Sequence, residues 1–532
     1  MMPTPTAARA PAVTSYDEVP YTSHPFPQTH PDRLATVATL MGLRPVPVQR
    51  CRVLELGCAS GGNLIPMAAT LPESRFVGLD LSLLQIESGR RQAEALGLKN
   101  VELLNRDLRE VGPDLGQFDY VICHGVYSWV PPEIRDKILA ICSQNLAPDG
   151  VAYVSYNTYP GWHMRGMIRD MMSYHAQRFR DRKRKASQAR ALLDFLAESV
   201  STREGPYALL LKQELEILRG KPDDYLLHEH LEEFNDPVYF YQFIKSATAH
   251  GLAYLGEAVM GAMTTEAFPQ KVREALHRVA QDQVQREQYM DFLRNRMFRQ
   301  TLLCHASRRF TYAVDGARVA GLHVASRALP TAPPDLASDS ADEFKAQETC
   351  ALNTRDRLLK ASLLELAPLW PGSLPFATLL ERAHERVRAA CGGTAERHPS
   401  DAARLGANLV HAYLPGIVEL SLQPPQFTVT VSERPVACPV ARLQAEIGAL
   451  VTNRRHERVS LGDSERQLLL RLDGRHDLSA LAEALVTLCQ AGTLTARHEG
   501  QPVRELERIW ETVSNAVPGM LSRLARLALL VG

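Results

Sequence analysis

Val53-Leu54-Glu55-Leu56-Gly57-Cys58-Ala59-Ser60-Gly61-Gly62-Asn63 and, one helix later, Arg75-Phe76-Val77-Gly78-Leu79-Asp80 carry the architecture of this 532-residue chain. An apolar run feeds directly into glycines, the pattern of a buried strand that turns sharply and lets its backbone approach a ligand. Leu64 to Leu71 have helical character, and Pro72 stops them. Phe76 to Leu79 make the next strand, with Asp80 at its carboxyl end. Strand, glycine turn, helix and strand form the first half of a doubly wound α/β sheet, which binds ligands beyond the carboxyl ends of its strands.

The turn itself selects among ligands. A dinucleotide calls for Gly-x-Gly-x-x-Gly, so that pyrophosphate rests on the helix N-terminus. This turn has Glu55-x-Gly57-x-Ala59-x-Gly61 instead. A carboxylate just before the glycines repels a diphosphate and suits an ammonium or a sulfonium. S-adenosylmethionine carries both, and Asp80 would grip its ribose diol. The cofactor candidates in the turn are Glu55, Gly57, Cys58, Ala59, Gly61 and Asn63, joined by Asp80 and Leu81 after the second strand.

The alternation stays regular beyond Asp80. A helix from Leu83 to Leu96 leads to strand three, Val101 to Leu104, after which Asp107 and Leu108 are placed for the adenine. Strand four, Phe118 to Cys123, is followed by His124, a further cofactor candidate, and by Tyr127 and Trp129. After the helix Pro132 to Asn145 comes strand five, Val151 to Ser155, then Tyr156, Asn157 and Trp162. Loops after strands four and five face the transferred group in this fold, so Tyr127, Trp129, Tyr156, Asn157 and Trp162 are the catalytic candidates. Aromatic faces there suit an amine or its methylated cation. Packing against the following helices is the competing role.

Composition narrows the class. Lys+Arg and Asp+Glu are equal at 60 each, which leaves no global field to recruit nucleic acid or an anionic membrane. No window has the apolar length of a membrane span. The nine cysteines form no Cys-x-x-Cys, which points to reduced thiols in the cytoplasm and no metal site. Residues 1–15 read as a flexible tail. The proline-rich segment after it, including Tyr21 and His24, reads as a lid over the cofactor. A cofactor domain over 16–165 is then expected to give way to helices over 166–328, with Gln270 to Gln300 read as helical. In the middle, His228 and His230 lack the His-Glu-x-x-His spacing and project from different faces of a helix. The prolines, serines and aspartates of 329–345 read as a linker. Within 346–532, three helices and a hairpin, Ile417 to Leu422 with Phe427 to Val431, give a winged-helix order. Its third helix, around Leu405 to His411, lacks the basic residues that DNA reading needs.

Several blocks together resemble a known group. They are Tyr16-Asp17-Glu18-Val19-Pro20-Tyr21 with Ser23-His24-Pro25, the turn Leu56 to Asn63, Tyr156-Asn157-x-Tyr159-Pro160-Gly161-Trp162, and Leu227-His228-Glu229-His230-Leu231-Glu232. The pattern is similar to bacterial class I S-adenosylmethionine-dependent methyltransferases with a methyltransferase regulatory domain, among them rickettsial protein-lysine methyltransferases. The middle glycine of the cofactor motif is Ala59 here. The resemblance is specific from Tyr16 to Phe310 and looser beyond. It implies a Rossmann-like catalytic sheet, a helical middle domain, a winged-helix-like C-terminal region and a homodimer. The expected reaction is N-methylation of a protein lysine. A small-molecule methyltransferase and a cofactor-sensing regulator are the alternatives.

Overall fold

The computed structural model describes residues 23–200, 205–221, 223–232 and 234–532. The expected tail, 1–15, and Tyr21 lie outside the described residues. The described residues build a seven-stranded sheet of order β3-β2-β1-β4-β5-β7-β6. Its strands are β1 (Arg52–Leu56), β2 (Arg75–Asp80), β3 (Val101–Asn105), β4 (Phe118–Cys123), β5 (Leu146–Asn157), β6 (Leu252–Glu257) and β7 (Phe298–His305). The first five are parallel, while β7 runs antiparallel to β5 and β6 antiparallel to β7. β1 is buried from Val53 to Leu56, as a central strand covered by helices on both faces must be.

The two added strands change the expected plan. β6 and β7 come from the region read as helical, and the helix expected over Gln270 to Gln300 is two helices, Gln270–Val279 and Gln283–Arg294, followed by β7. Asn295 ends the second helix in the left-handed region at φ +46. β7 then anchors Arg299, which is fully buried. It pairs with Glu257 at 2.6 Å, Glu287 at 3.0 Å and Asp291 at 2.8 Å, and stacks over the Phe240 ring at 3.8 Å. A charge this deep persists only when paired and hydrogen-bonded on all sides. The helices Trp162–Ala176, Arg182–Ser199, Pro206–Arg219 and Asp223–Glu229 form a separate unit around Ile168, Met172, Leu193, Leu211 and Leu226.

The stretch expected to be a linker is built into the structure. Leu329–Pro330 and Asp342–Gln347 join Cys350–Thr354 in a three-stranded antiparallel sheet. The intervening loop closes over the buried ammonium of Lys360, which donates to Asp335 O at 2.9 Å and Ser340 O at 2.7 Å and pairs with Asp342 at 2.5 Å. The hairpin expected over 417–431 does not form. Glu419–Ser421 pairs antiparallel with His323–Ala325. Pro424 and Pro425 supply no amide hydrogens, and Thr428 N donates to Leu530 O in the last unit. That last unit has its own core from Ala437 to Leu530, with the hairpin Leu450–Thr452 and Arg458–Ser460 and the helices Pro439–Ile447, Asp463–Leu469, Leu478–Gln490 and Leu506–Arg526.

Candidate active site at the carboxyl edge of the sheet

A cavity of about 660 Å³ opens at the carboxyl ends of β1, β2, β4 and β5. Its floor is the glycine turn. Gly57 holds φ +73, and a Cβ there would sit 2.5 Å from Val126 Cγ2, so only glycine fits both the turn and its neighbour. Ala59 also lies in the left-handed region, at φ +48, a conformation that costs a non-glycine residue about 1 kcal/mol. Its amide donates to Asp80 Oδ2 at 2.8 Å, while Ser82 N donates to Asp80 Oδ1 at 2.9 Å. Asp80 thus ties the turn to the end of β2 while still lining the cavity.

Glu55 is a strongly perturbed acid in this wall. It is 3% exposed, and burial pushes its pKa from an ordinary 4.5 up to about 8, with the Asn63 hydrogen bond opposing and Asp80 adding to the rise. Asn63 Nδ2 donates to its Oε1 at 2.7 Å, whereas Oε2 is buried with no hydrogen-bond partner among the described residues. A buried carboxylate oxygen without a partner costs free energy unless a ligand or a proton meets it. The group that a sulfonium- and ammonium-bearing donor would present fits this oxygen.

Of the residues expected to bind the cofactor, His24, Glu55, Gly57, Cys58, Ala59, Asn63, Asp80, Leu81, Asp107, Leu108 and His124 line the cavity. Gly61 does not. It sets the turn behind the floor at φ +74, with Ile65 and Leu103 packed where a Cβ would go. Asn63 has both ends of its amide bound within the protein, with Nδ2 on Glu55 Oε1 and Thr29 Oγ1. Asp107 accepts from Arg109 N at 2.9 Å and from Nε and Nη2, and that contact holds its carboxyl below the usual range. His124 is hydrogen-bonded to Tyr153 Oη at 2.8 Å, and burial lowers its pKa to about 4, leaving the ring neutral.

The catalytic candidates divide. Trp129, Asn157 and Trp162 line the cavity, with the two indoles edge to face at 6.5 Å. Tyr127 and Tyr156 do not. β5 runs on to Asn157 instead of ending at Ser155, and side chains alternate along it, so Tyr156 points to the core face. There it stacks on Phe243 at 4.1 Å and bonds Thr301 Oγ1 at 3.1 Å. Tyr127 begins a tight turn whose third residue is Trp129, and it packs against the same Phe243 at 5.1 Å.

The wall also holds residues that are not among the cofactor or catalytic candidates. Ser23 Oγ accepts from Gly62 N at 2.8 Å, and the Phe26 ring lies 3.8 Å from that of His124, so the segment before the first helix does reach the cavity. His228, Glu229, Met297 and Phe298 close it from the middle region, and Arg165 lies over Trp162 at 5.5 Å. Phe298 opens β7, so only recognition of that strand could have placed it. The two histidines diverge as expected: His228 faces the cavity, and His230 packs near Tyr225 at 6.2 Å. No group of metal-ligating side chains is present among the described residues.

Comparison with known proteins agrees with this geometry. Residues 53–150 match the family described as a methyltransferase domain, residues 222–305 a predicted methyltransferase regulatory domain, and residues 433–529 a PKMT C-terminal winged helix domain. RP789 of Rickettsia prowazekii is 36% identical over 97% of this chain and 93% of its own. The structure of PKMT2 from Rickettsia typhi is 31% identical and aligns over 96% of this chain and all of that one with a TM-score of 0.85. PKMT2 has also been solved in complex with AdoHcy. This chain belongs to the PKMT2 family of S-adenosylmethionine-dependent methyltransferases. In this methyltransferase the last unit is the part that matches the winged helix family, over residues 433–529. The regulatory region supplies β6, β7 and one wall of the cavity.

Proposed function

We propose that this methyltransferase transfers the methyl group of S-adenosylmethionine to the ε-amino group of lysine side chains in protein. The observation that carries the reading is the cavity end framed by Trp129, Trp162 and Asn157, joined to an accessory region far larger than a lid. Indole faces attract an amine or its methylated cation, and a protein acceptor explains why so much chain surrounds the catalytic sheet. We assign Glu55 to the charged end of the donor, Asp80 to the ribose diol, and Leu81, Asp107 and Leu108 to the adenine. His24 and His124 line the same cavity.

The donor, when bound, supplies an activated methyl. The amine must arrive neutral, because its lone pair forms the new N–C bond while the S–C bonding pair returns to sulfur, and the product ammonium then loses its proton to water. The chain's part is alignment and water exclusion. Asn157 is held for this by Ser128 Oγ, which accepts from its backbone N at 2.8 Å. Nine cysteines without a disulfide support a cytoplasmic location. Tyr174 and Phe195, 79% and 61% exposed on the helical unit, support homodimerisation through that unit. The test is mass spectrometry of a host lysate incubated with purified protein and isotopically labelled S-adenosylmethionine. Label on lysine side chains is expected. Label confined to small molecules overturns the protein acceptor.

A further inference from the structure

A histidine from the last domain reaches the floor of the donor site. His456 and Asn63 are 393 residues apart, and the imidazole Nε2 lies 2.8 Å from Asn63 Oδ1. His456 is 5% exposed and sits at φ +61 in the turn between strands Leu450–Thr452 and Arg458–Ser460. A left-handed histidine is uncommon and needs support from its surroundings. That support is extensive. Asn453 Oδ1 accepts from the backbone N of Arg455 and of Glu457, each at 2.9 Å. Arg455 Nη2 donates to Glu419 at 2.8 and 2.9 Å, and Glu419 also accepts from Arg33 at 3.0 Å. The turn is thus pinned to the first helix, Pro31–Leu40, and to the strand Glu419–Ser421.

The polarity of the hydrogen bonds can be followed from one end. The Phe26 backbone N–H can only donate, so the Asn63 atom it meets at 2.9 Å is Oδ1, and Nδ2 is turned toward Glu55 Oε1 at 2.7 Å. His456 Nε2 faces that same Oδ1 and therefore carries the proton. Burial keeps the imidazole neutral, so this is its one N–H. Were the amide to turn over, its NH2 would face the Phe26 N–H and the His456 Nε2–H and leave both donors without this acceptor.

We propose that His456 is a positioning residue for the methyl donor. By donating to Asn63 it holds the amide N–H on Glu55, and the winged-helix domain thereby completes the donor site. This rests on the reading of Glu55 as the carboxylate that meets the donor's charged end. It gives the C-terminal domain a role in donor affinity that is separate from any contact with the acceptor.

The test is calorimetric titration of the full-length protein with S-adenosylmethionine. His456→Leu is expected to weaken Kd about tenfold, equivalent to about 1.4 kcal/mol. His456→Gln, whose amide N–H can meet the same oxygen, should stay within about threefold. The KM for acceptor should be unchanged in both, which a general loss of structure would not allow. In an Asn63→Ala background, His456→Leu should add nothing, since groups acting through one contact are not additive. A Kd within about twofold of the parent for His456→Leu, equal losses for Leu and Gln, or full additivity with Asn63→Ala overturns the proposal. If His456→Leu does not fold, His456→Met, equally without a donor, replaces it. Asp80→Ala tests the underlying site: parental affinity in that variant would overturn the donor-site reading itself. Weakened binding in Asp80→Ala beside normal binding in His456→Leu would overturn the present inference alone.

Discussion

Binding of S-adenosylmethionine should release a proton from Glu55. In the free protein the buried carboxyl has its pKa pushed up to about 8 and one oxygen without a partner among the described residues. At pH 6.5 a group with that pKa is about 97% protonated. The donor's ammonium, with a pKa near that of an ordinary α-amino group at about 7.8, is about 95% charged at the same pH. A cation placed against Glu55 favours the carboxylate, so close to one proton must leave for each donor bound. Linkage then sets the slope: the free protein binds more protons than the complex, and affinity rises about tenfold between pH 5.5 and 6.5. The same shift works against the empty site at high pH. With the folded-state pKa above the unfolded one, Glu55 costs nothing below pH 4.5, and stability is lost as pH rises through about 8. The assay is titration calorimetry at pH 6.5 in buffers of different ionisation enthalpy, on the parent and on Glu55→Gln. The parent enthalpy should vary with the buffer with a slope of close to one proton, and the variant slope should be near zero. A slope of zero in the parent, or equal slopes in both proteins, would refute the assignment of Glu55.

Asp80→Ala removes the acceptor of two loop amides and the one proposed for the ribose diol, and should weaken donor binding by about 2 kcal/mol in calorimetry; unchanged affinity would contradict the proposed site. Trp162→Phe should raise the KM for acceptor and lower turnover while donor affinity holds; equal effects on donor and acceptor would place the indole beneath the donor. Tyr156→Phe, which loses only the hydrogen bond to Thr301, should cost about 1 kcal/mol of stability by thermal denaturation and leave turnover within about twofold. A large loss of turnover would return Tyr156 to the reacting end of the cavity.

What the sequence determined by itself was local. Glu55, Gly57 and Asp80 sit within a few residues of strand ends, and the strand–turn–helix unit that presents them is set by short-range sterics and alternating burial. The five parallel strands and most of the cavity floor followed from that pattern. The last step of the alternation did not, because a strand two residues longer than its apolar run turns Tyr156 from the cavity to the core. Tertiary structure alone decided the rest. β6 and β7 are added to the sheet after more than 90 intervening residues and read as parts of a helical region, because strand pairing depends on a partner that no local window contains. The linker composition of 329–345 folds because Lys360 buries its ammonium among those carbonyls. The hydrogen bond of His456 to the Asn63 amide joins residues 393 apart in the sequence, and it exists only because the last domain packs against the glycine turn.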